Sequence, residues 1–173
     1  MPAAGKTTLA RALTAELRLP LLTKDDLKEC LYDELGTGDV EWSRRLGAAA
    51  YALLFAFCQE LLGARLSVGV EGNFFSGSQE AEFESLPPHR LVQLCCAAPL
   101  EVLLERYAGR ARHPGHVDSD RESELRERFE AGAHGPLQLD GELIEVDGSR
   151  PVDIRTLAER VQAAASASRS SAP

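Results

Sequence analysis

The sequence predicts an α/β protein. Apolar residues recur with a period that switches repeatedly between about 3.6 and 2, which is typical of alternating helices and strands. The chain has 173 residues, of which 44% are hydrophobic and 27% charged, and this length and composition fit one globular domain. Without any internal repeat or linker, we expect a single domain over residues 1–165 and a disordered, Ala/Ser-rich tail over 166–173.

The first half of the chain is predicted to alternate helix and strand. Leucines at helical spacing mark two helices, over residues 7–17 and 25–35. The short apolar run 19–22 between them fits a buried strand. A longer amphipathic helix then passes through 42–57, and a strand covers 66–71.

The second half of the chain continues this alternation. Strands are predicted over 91–96 and 143–146, and helices over 100–109 and 154–165. A capping box, Ser119-x-x-Glu122, begins a further helix that ends near residue 131. The α/β class therefore applies to the whole domain.

The charge balance disfavours several classes of partner. The chain has 19 Lys and Arg residues against 27 Asp and Glu, and its formal net charge of −8 argues against nucleic acid and anionic membranes. We recognise no apolar run near the roughly 20 residues of a bilayer span and no secretory signal, so we expect a cytoplasmic protein. The four cysteines form no C-x-x-C pair, which indicates neither a disulfide framework nor a zinc site.

A phosphate-binding motif opens the first helix. Ala4-Gly5-Lys6-Thr7 matches the second half of the pattern G-x-x-x-x-G-K-[ST]. Backbone N–H groups at a helix start attract phosphate, Lys6 adds a full positive charge, and the Thr7 hydroxyl suits Mg²⁺. No acidic residue precedes Glu16 in this helix, so its positive end is uncompensated. The alternative is a Gly-Lys-Thr that begins the helix by chance.

Two adjacent carboxylates, Asp25 and Asp26, follow the first predicted strand and begin the second helix. Because α/β sheets present their chemistry at the carboxyl ends of strands, we expect Asp25 to face the cleft and accept a proton from a hydroxyl. We expect Asp26 to stabilise the helix N-terminus. The alternative is that both residues are helix acids without a catalytic role.

These motifs resemble, over nearly the whole chain, the P-loop small-molecule kinase group that includes polynucleotide kinase, chloramphenicol phosphotransferase, gluconate kinase and zeta toxin. The resemblance implies a three-layer α/β fold with a parallel sheet, helices on both faces and an arginine-bearing lid. It also implies ATP as phosphoryl donor and Mg²⁺ as cofactor. Asp25 matches the general base of the polynucleotide kinase signature, and Lys28, which stands where that enzyme has an Arg, is assigned to the acceptor. The residues assigned to nucleotide binding at the first loop are Pro2, Ala3, Ala4, Gly5, Lys6, Thr7 and Thr8.

The resemblance places the lid at about 106–118, where three arginines cluster. Arg106 and Arg110 are four residues apart and share a helical face. We expect both to stabilise the charge on the transferring phosphoryl group, and Arg112 to contact the nucleotide. The alternative is a solvated face on which these arginines pair with nearby glutamates. Pro114-Gly115 indicates a turn rather than a metal site between the histidines of this segment.

Further site residues follow the later strands. Glu71 ends a predicted strand, so its carboxylate lies on the same sheet edge as Asp25. By resemblance, Glu71 and Asn73 hold the acceptor, and Glu71 with Thr7 holds Mg²⁺ or its bound water. The alternative is an ordinary turn after a strand. Arg150 is assigned to the nucleotide on its position alone.

The sequence thus predicts an ATP-dependent phosphotransferase that moves the γ-phosphoryl group to a hydroxyl of a small acceptor. Asp25 favours this hypothesis over a simple NTPase, which needs no acceptor base there. A nucleotide-binding module without phosphoryl transfer is the other alternative. The acidic net charge favours a sugar, nucleoside or antibiotic alcohol over a polynucleotide, and the oligomeric state is left open.

The family pattern also includes a first strand and a first phosphate-loop Gly that this sequence lacks. In the related kinases that strand lies mid-sheet, between the strands that correspond here to 66–70 and 91–96. Its absence would leave two rows of backbone groups unpaired, at about 1–3 kcal/mol for each buried group. We therefore expect a natural product that begins roughly 7–10 residues upstream with a strand and a Gly, since such losses exceed a domain's stability.

Overall fold

The computed structural model describes residues 2–109, 113, 115, 121–130 and 135–167, and helices and strands alternate along these ranges. The helices are α1 (Lys6–Leu17), α2 (Lys24–Leu35), α3 (Val40–Gly63), α4 (Glu80–Glu84), α5 (Leu100–Ala108), α6 (Arg121–Glu130) and α7 (Ile154–Ser166). The strands are β1 (Leu21–Thr23), β2 (Gly69–Glu71), β3 (Val92–Ala97) and β4 (Glu142–Asp147). The α/β class is confirmed, and α4 is an element that the apolar spacing did not predict.

Capping side chains fix where the helices around the site begin. Thr23 Oγ1 accepts a hydrogen bond from the Asp26 backbone N–H at 3.1 Å, and Asp39 Oδ1 accepts one from the Trp42 N–H at 2.8 Å. Because Thr23 is both the last residue of β1 and the cap of α2, strand passes directly into helix. Asp25 is thereby held at the carboxyl end of β1.

The strands form two separate parallel sheets. β1 pairs with β2, with Thr23 opposite Glu71, and β3 pairs with β4, with Ala97 opposite Asp147. β2 and β3 are not hydrogen-bonded to each other. The single sheet implied by the resemblance is therefore present as two halves, because no strand in the described ranges pairs with both β2 and β3. The upstream strand stays a prediction.

The main hydrophobic core lies against the second sheet. α1 contributes Leu13 to this core, and it also packs on α7, β1 and β2. α1 therefore bridges the two sheets and carries the phosphate loop at its start. The buried members of the core are Ala4, Leu13, Cys96, Leu103, Ile144, Val146, Leu157 and Ala158.

α3 is the one helix in the described part of the chain that is long and apolar enough to cross a membrane. α3 meets this criterion by its length and mean hydropathy, whereas its longest uncharged run, 46–59, has 14 residues, in line with the expectation that no apolar run approaches 20. The protein buries one face of the helix, through Leu46, Ala50, Leu54 and Cys58. Core helices of soluble proteins can be equally long and apolar, and α3 packs on this fold through its buried face.

Candidate active site

A cavity of about 700 Å³ lies at the carboxyl ends of the strands, which is a usual size for a small-molecule site. Its walls come from the phosphate loop, the start of α2, the turn after β2 and the segment after β4. Predicted site residues that line it are Pro2, Ala3, Ala4, Gly5, Lys6, Thr7, Thr8, Asp25, Lys28, Glu71, Asn73, Arg106 and Arg150. Arg110 and Arg112 lie outside the described residues.

The phosphate loop turns sharply into α1. Ala3 and Gly5 have positive φ angles of 59° and 84°, and no acidic side chain lies in the first helical turn. The backbone N–H groups at the start of α1 therefore present an unbalanced positive end to the cavity. Ala4 is 1% exposed and lies against Gly148, where a Cβ would collide with the Ala4 carbonyl oxygen. The turn after β4 thus packs directly on the loop.

Two hydrogen bonds join the phosphate loop to the end of β2. Lys6 Nζ donates to Asn73 Oδ1 at 3.0 Å, and Thr7 Oγ1 donates to Glu71 Oε2 at 3.1 Å. Glu71 is only 9% exposed, so its carboxylate is largely shielded from water. Four residues that the sequence assigned to phosphate, metal and acceptor binding therefore meet in one corner of the cavity.

The donor chemistry of this corner fits Mg²⁺. The Thr7 hydroxyl and the Glu71 carboxylate are hard oxygen ligands, and Mg²⁺ in proteins usually combines few such ligands with water and substrate phosphate. Within the described residues, no group of three or more His, Cys, Asp or Glu side chains is placed to hold a metal. A Mg²⁺ ion at Thr7 and Glu71 would therefore need phosphate oxygens to complete its shell.

Asp25 and Asp26 have different surroundings although they are adjacent. Asp25 lines the cavity, with its Oδ1 3.1 Å from Lys24 Nζ. Asp26 does not line the cavity, and its two carboxylate oxygens lie 2.9 and 3.0 Å from Arg11 Nη2 on α1. Asp26 thus fastens α2 to α1, whereas Asp25 faces the site.

Tyr51 of α3 lies close to this acid. Burial, and secondly the negative charge of Asp25, raise the pKa of Tyr51 to about 12, against the opposing effect of a backbone hydrogen bond from Asn73. Lys24 Nζ lies 5.8 Å from the centre of the Tyr51 ring. The phenol therefore stays protonated at neutral pH and is a neutral neighbour of Asp25, not a second base.

The Lys28 side chain is almost completely buried. It is 6% exposed, its Nζ donates to Ser43 Oγ at 2.9 Å, and it lies 5.2 Å from the Tyr32 ring centre. The Tyr32 hydroxyl is 2.6 Å from the same Ser43 Oγ. No carboxylate in the described part of the chain forms an ion pair with Lys28. A buried ammonium with only neutral partners, on the wall of a cavity, favours a negatively charged ligand group.

Arg106 connects the predicted lid to the turn that supports the phosphate loop. It lies in the last turn of α5, lines the cavity, and its Nη1 donates to the Gly148 carbonyl at 2.6 Å. The Arg150 side chain, also on the wall, is 81% exposed, with Nε 3.3 Å from Asp147 Oδ2. Arg106 is therefore held at the cavity mouth by backbone, and Arg150 by an exposed carboxylate.

His113 and Gly115, which are the described lid residues beyond 109, rest on α2. The His113 ring stacks on Tyr32 with centroids 5.5 Å apart, and its Nε2 lies 3.0 Å from Asp33 Oδ1. The Gly115 N–H donates to His113 Nδ1, so the proton on Nε2 is the one directed at Asp33. A Cβ at Gly115 would lie 2.5 Å from the Tyr32 ring. Pro114, the other half of the predicted turn, lies outside the described residues.

Comparisons with known proteins agree with this geometry. A family described as an AAA domain matches residues 1–132. The chain belongs to this AAA-domain family. A candidate kinase from Chloroflexus aurantiacus, known from a crystal structure, is 37% identical in sequence to this chain. The two structures superpose with a TM-score of 0.87 over 95% of this chain and 94% of that one. Among curated protein sequences, no relative matches.

A sugar kinase from Janibacter sp. HTCC2649 has the same fold. It gives a TM-score of 0.61 at 20% identity, over 94% of this chain and 88% of that one. The AAA-domain protein therefore has the P-loop kinase fold, as the motifs predict.

Sequence reasoning missed two features of the site. Ser43 lies inside a helix, and nothing in its neighbourhood indicates that it bonds both Lys28 and Tyr32. The segment after the last strand was singled out only for Arg150, but Gly148 in that segment packs directly against Ala4 of the phosphate loop. Such contacts join residues far apart in the chain, and no local spacing encodes them.

Proposed function

We propose that this AAA-domain protein transfers the γ-phosphoryl group of ATP to a hydroxyl group of a small molecule. The observation that carries the proposal is that Asp25 borders the same cavity as Lys6 and Thr7. ATP hydrolysis needs the phosphate loop but no carboxylate at the end of β1. The 37% identity to a candidate kinase over nearly the whole chain supports the same interpretation.

The proposed reaction is an in-line displacement. Lys6 and the loop N–H groups bind the phosphates, while the acceptor hydroxyl lies against Asp25. The acceptor oxygen forms a bond to the γ-phosphorus as the bond from that phosphorus to the β–γ bridging oxygen breaks, and ADP leaves with the bonding electrons. The hydroxyl proton passes to the Asp25 carboxylate. Mg²⁺, bound through Thr7 and Glu71, would neutralise phosphate charge.

Cationic side chains around the cavity complete the proposed site. Arg106 stabilises the developing negative charge, and the resemblance assigns the same task to Arg110. Arg112 and Arg150 are assigned to the nucleotide. Lys28, together with Asn73 and Glu71 near the phosphate corner, is assigned to the acceptor.

Transfer of labelled phosphate tests the proposal directly. The protein is incubated with γ-labelled MgATP and a panel of sugars, nucleosides and antibiotic alcohols, and the label is followed into acceptor, water or neither. Label in one acceptor, lost in Lys6→Ala, is the expected result. Release of inorganic phosphate that does not depend on acceptor would mean an NTPase, and binding of MgATP without release of label would mean a nucleotide-binding module. Either outcome contradicts the proposal.

A further inference from the structure

α3 leaves an apolar strip uncovered alongside its buried residues. Leu53 is 38% exposed and Phe57 46% exposed, whereas Leu54 and Cys58, one position later, are buried. Ala52 and Ala56 are exposed beside them. Large apolar side chains grouped in this way on one helical face are typical of an interaction surface.

Opposite charges mark the two ends of this face. Arg45 and Glu60 are both exposed, and neither forms an ion pair in the described part of the chain. Arg45 lies seven residues before Ala52, and Glu60 lies seven residues after Leu53. The charges are therefore equidistant from a midpoint between Ala52 and Leu53, and they have opposite signs.

We propose that this face, formed by Arg45, Ala49, Ala52, Leu53, Ala56, Phe57 and Glu60, pairs with the same face of a second copy of the chain. A two-fold axis at the midpoint makes the two α3 helices antiparallel. Arg45 then lies opposite Glu60 of the partner subunit, and Ala49 opposite the partner subunit's Ala56. The alanines allow the close approach that helix packing needs, and Leu53 and Phe57 provide the apolar contact.

The pattern of charge on α3 favours a protein partner over a lipid bilayer. The uncharged stretch from 46 to 59 has 14 residues. At about 1.5 Å per residue it spans about 21 Å, which is shorter than the roughly 30 Å of a hydrocarbon core. The charged residues at its ends gain partners of opposite sign in an antiparallel pair and none inside a membrane.

Sedimentation of the full chain over the micromolar range tests the pairing. A dimer is expected for the parent protein and a monomer for Leu53→Glu, with unchanged helical circular dichroism. The matched control is Leu143→Glu, since Leu143 on β4 is also exposed, at 44%. This variant should stay dimeric. A parent protein that is monomeric throughout, or that binds neutral phosphatidylcholine vesicles through Leu53, overturns the proposal.

Reversing the charges of Arg45 and Glu60 distinguishes antiparallel pairing from any other contact of this face. Arg45→Glu alone and Glu60→Arg alone each place like charges at both ends, so each should raise the dissociation constant about tenfold or more. The double variant, and an equimolar mixture of the two single variants, should both restore the dimer. Failure of that rescue contradicts the proposed register, and single variants that dimerise as well as the parent protein contradict the ion pairs.

Discussion

The parts of the cavity proposed for the nucleotide (the nucleotide half) and for the acceptor (the acceptor half) are built from different kinds of structure. At the nucleotide half, consecutive residues such as Gly5, Lys6 and Thr7 contribute backbone and side chain from a single loop. At the acceptor half, Lys28 and Ser43 meet because α2 packs on α3. Under the proposed function, the difference teaches that a local motif determines where phosphate binds, whereas the packing of α2 on α3 determines which acceptor fits the cavity. Four predictions would sharpen or break this division.

The largest effect is expected at Asp25. Asp25→Asn keeps the shape of the residue but removes the proton acceptor, so turnover should fall roughly 10²- to 10⁴-fold with ATP affinity nearly unchanged. Asp26→Asn is the matched control, because Asp26 pairs with Arg11 outside the cavity. Steady-state rates with the acceptor found in the label-transfer screen are the measurement. Equal losses in both variants would mean that neither acid is the base.

The next largest effect is expected at Lys6, where the substitution should remove stabilisation by MgATP without weakening the fold. Lys6→Ala should leave the melting temperature of the free protein little changed, because Lys6 faces the cavity rather than the core. It should abolish the stabilisation by MgATP, which for the parent is about 2.7 kcal/mol at a hundredfold excess over the dissociation constant. Arg155→Ala, at an exposed site on α7, is the control. A mutant that MgATP stabilises as strongly as the parent protein would disprove the phosphate-loop assignment.

Substitutions in the acceptor half should change the free energy of unfolding. Ser43→Ala removes the hydrogen-bond acceptor of the buried Lys28 ammonium, at a cost of about 1–3 kcal/mol, and also removes one hydrogen bond of the Tyr32 hydroxyl. Lys28→Met removes a buried charge while Ser43 still bonds Tyr32, so the free energy of unfolding should be unchanged or higher. Urea unfolding without ligand measures both. A loss in Lys28→Met as large as in Ser43→Ala would show that the lysine maintains the fold rather than serving a ligand.

The smallest effect is a pH dependence at Tyr51. Its pKa in the folded protein, about 12, lies above the value of about 10 in an unfolded chain, so folding favours the protonated phenol. This contribution to stability is complete below pH 10 and is lost between pH 10 and 12. Tyr51→Phe should flatten that part of the curve of unfolding free energy against pH. Identical slopes in parent and variant would show that the phenol is not buried beside Asp25.

The sequence predicted the strands within the chain well for a physical reason. All four are present near their expected bounds, because apolar spacing reflects burial on an element's own face. The division into two sheets was not predicted, since strand pairing joins residues that lie far apart in the chain. The bonds of Ser43 could not be predicted, because they depend on how α2 and α3 are rotated against each other. The roles of Arg110 and Arg112 stay predictions.

The separation of the two sheets affects how the protein opens locally to solvent. In the described ranges β2 and β3 share no ladder, whereas Glu71 and Gly148 both contact the phosphate loop, through Thr7 and Ala4. Each sheet should then open to solvent as its own cooperative unit, with its own rate of amide hydrogen exchange. Under the proposed function, a nucleotide bound at the loop would contact both units. MgATP should therefore slow exchange in β2 and β3 together and make the two halves unfold as one.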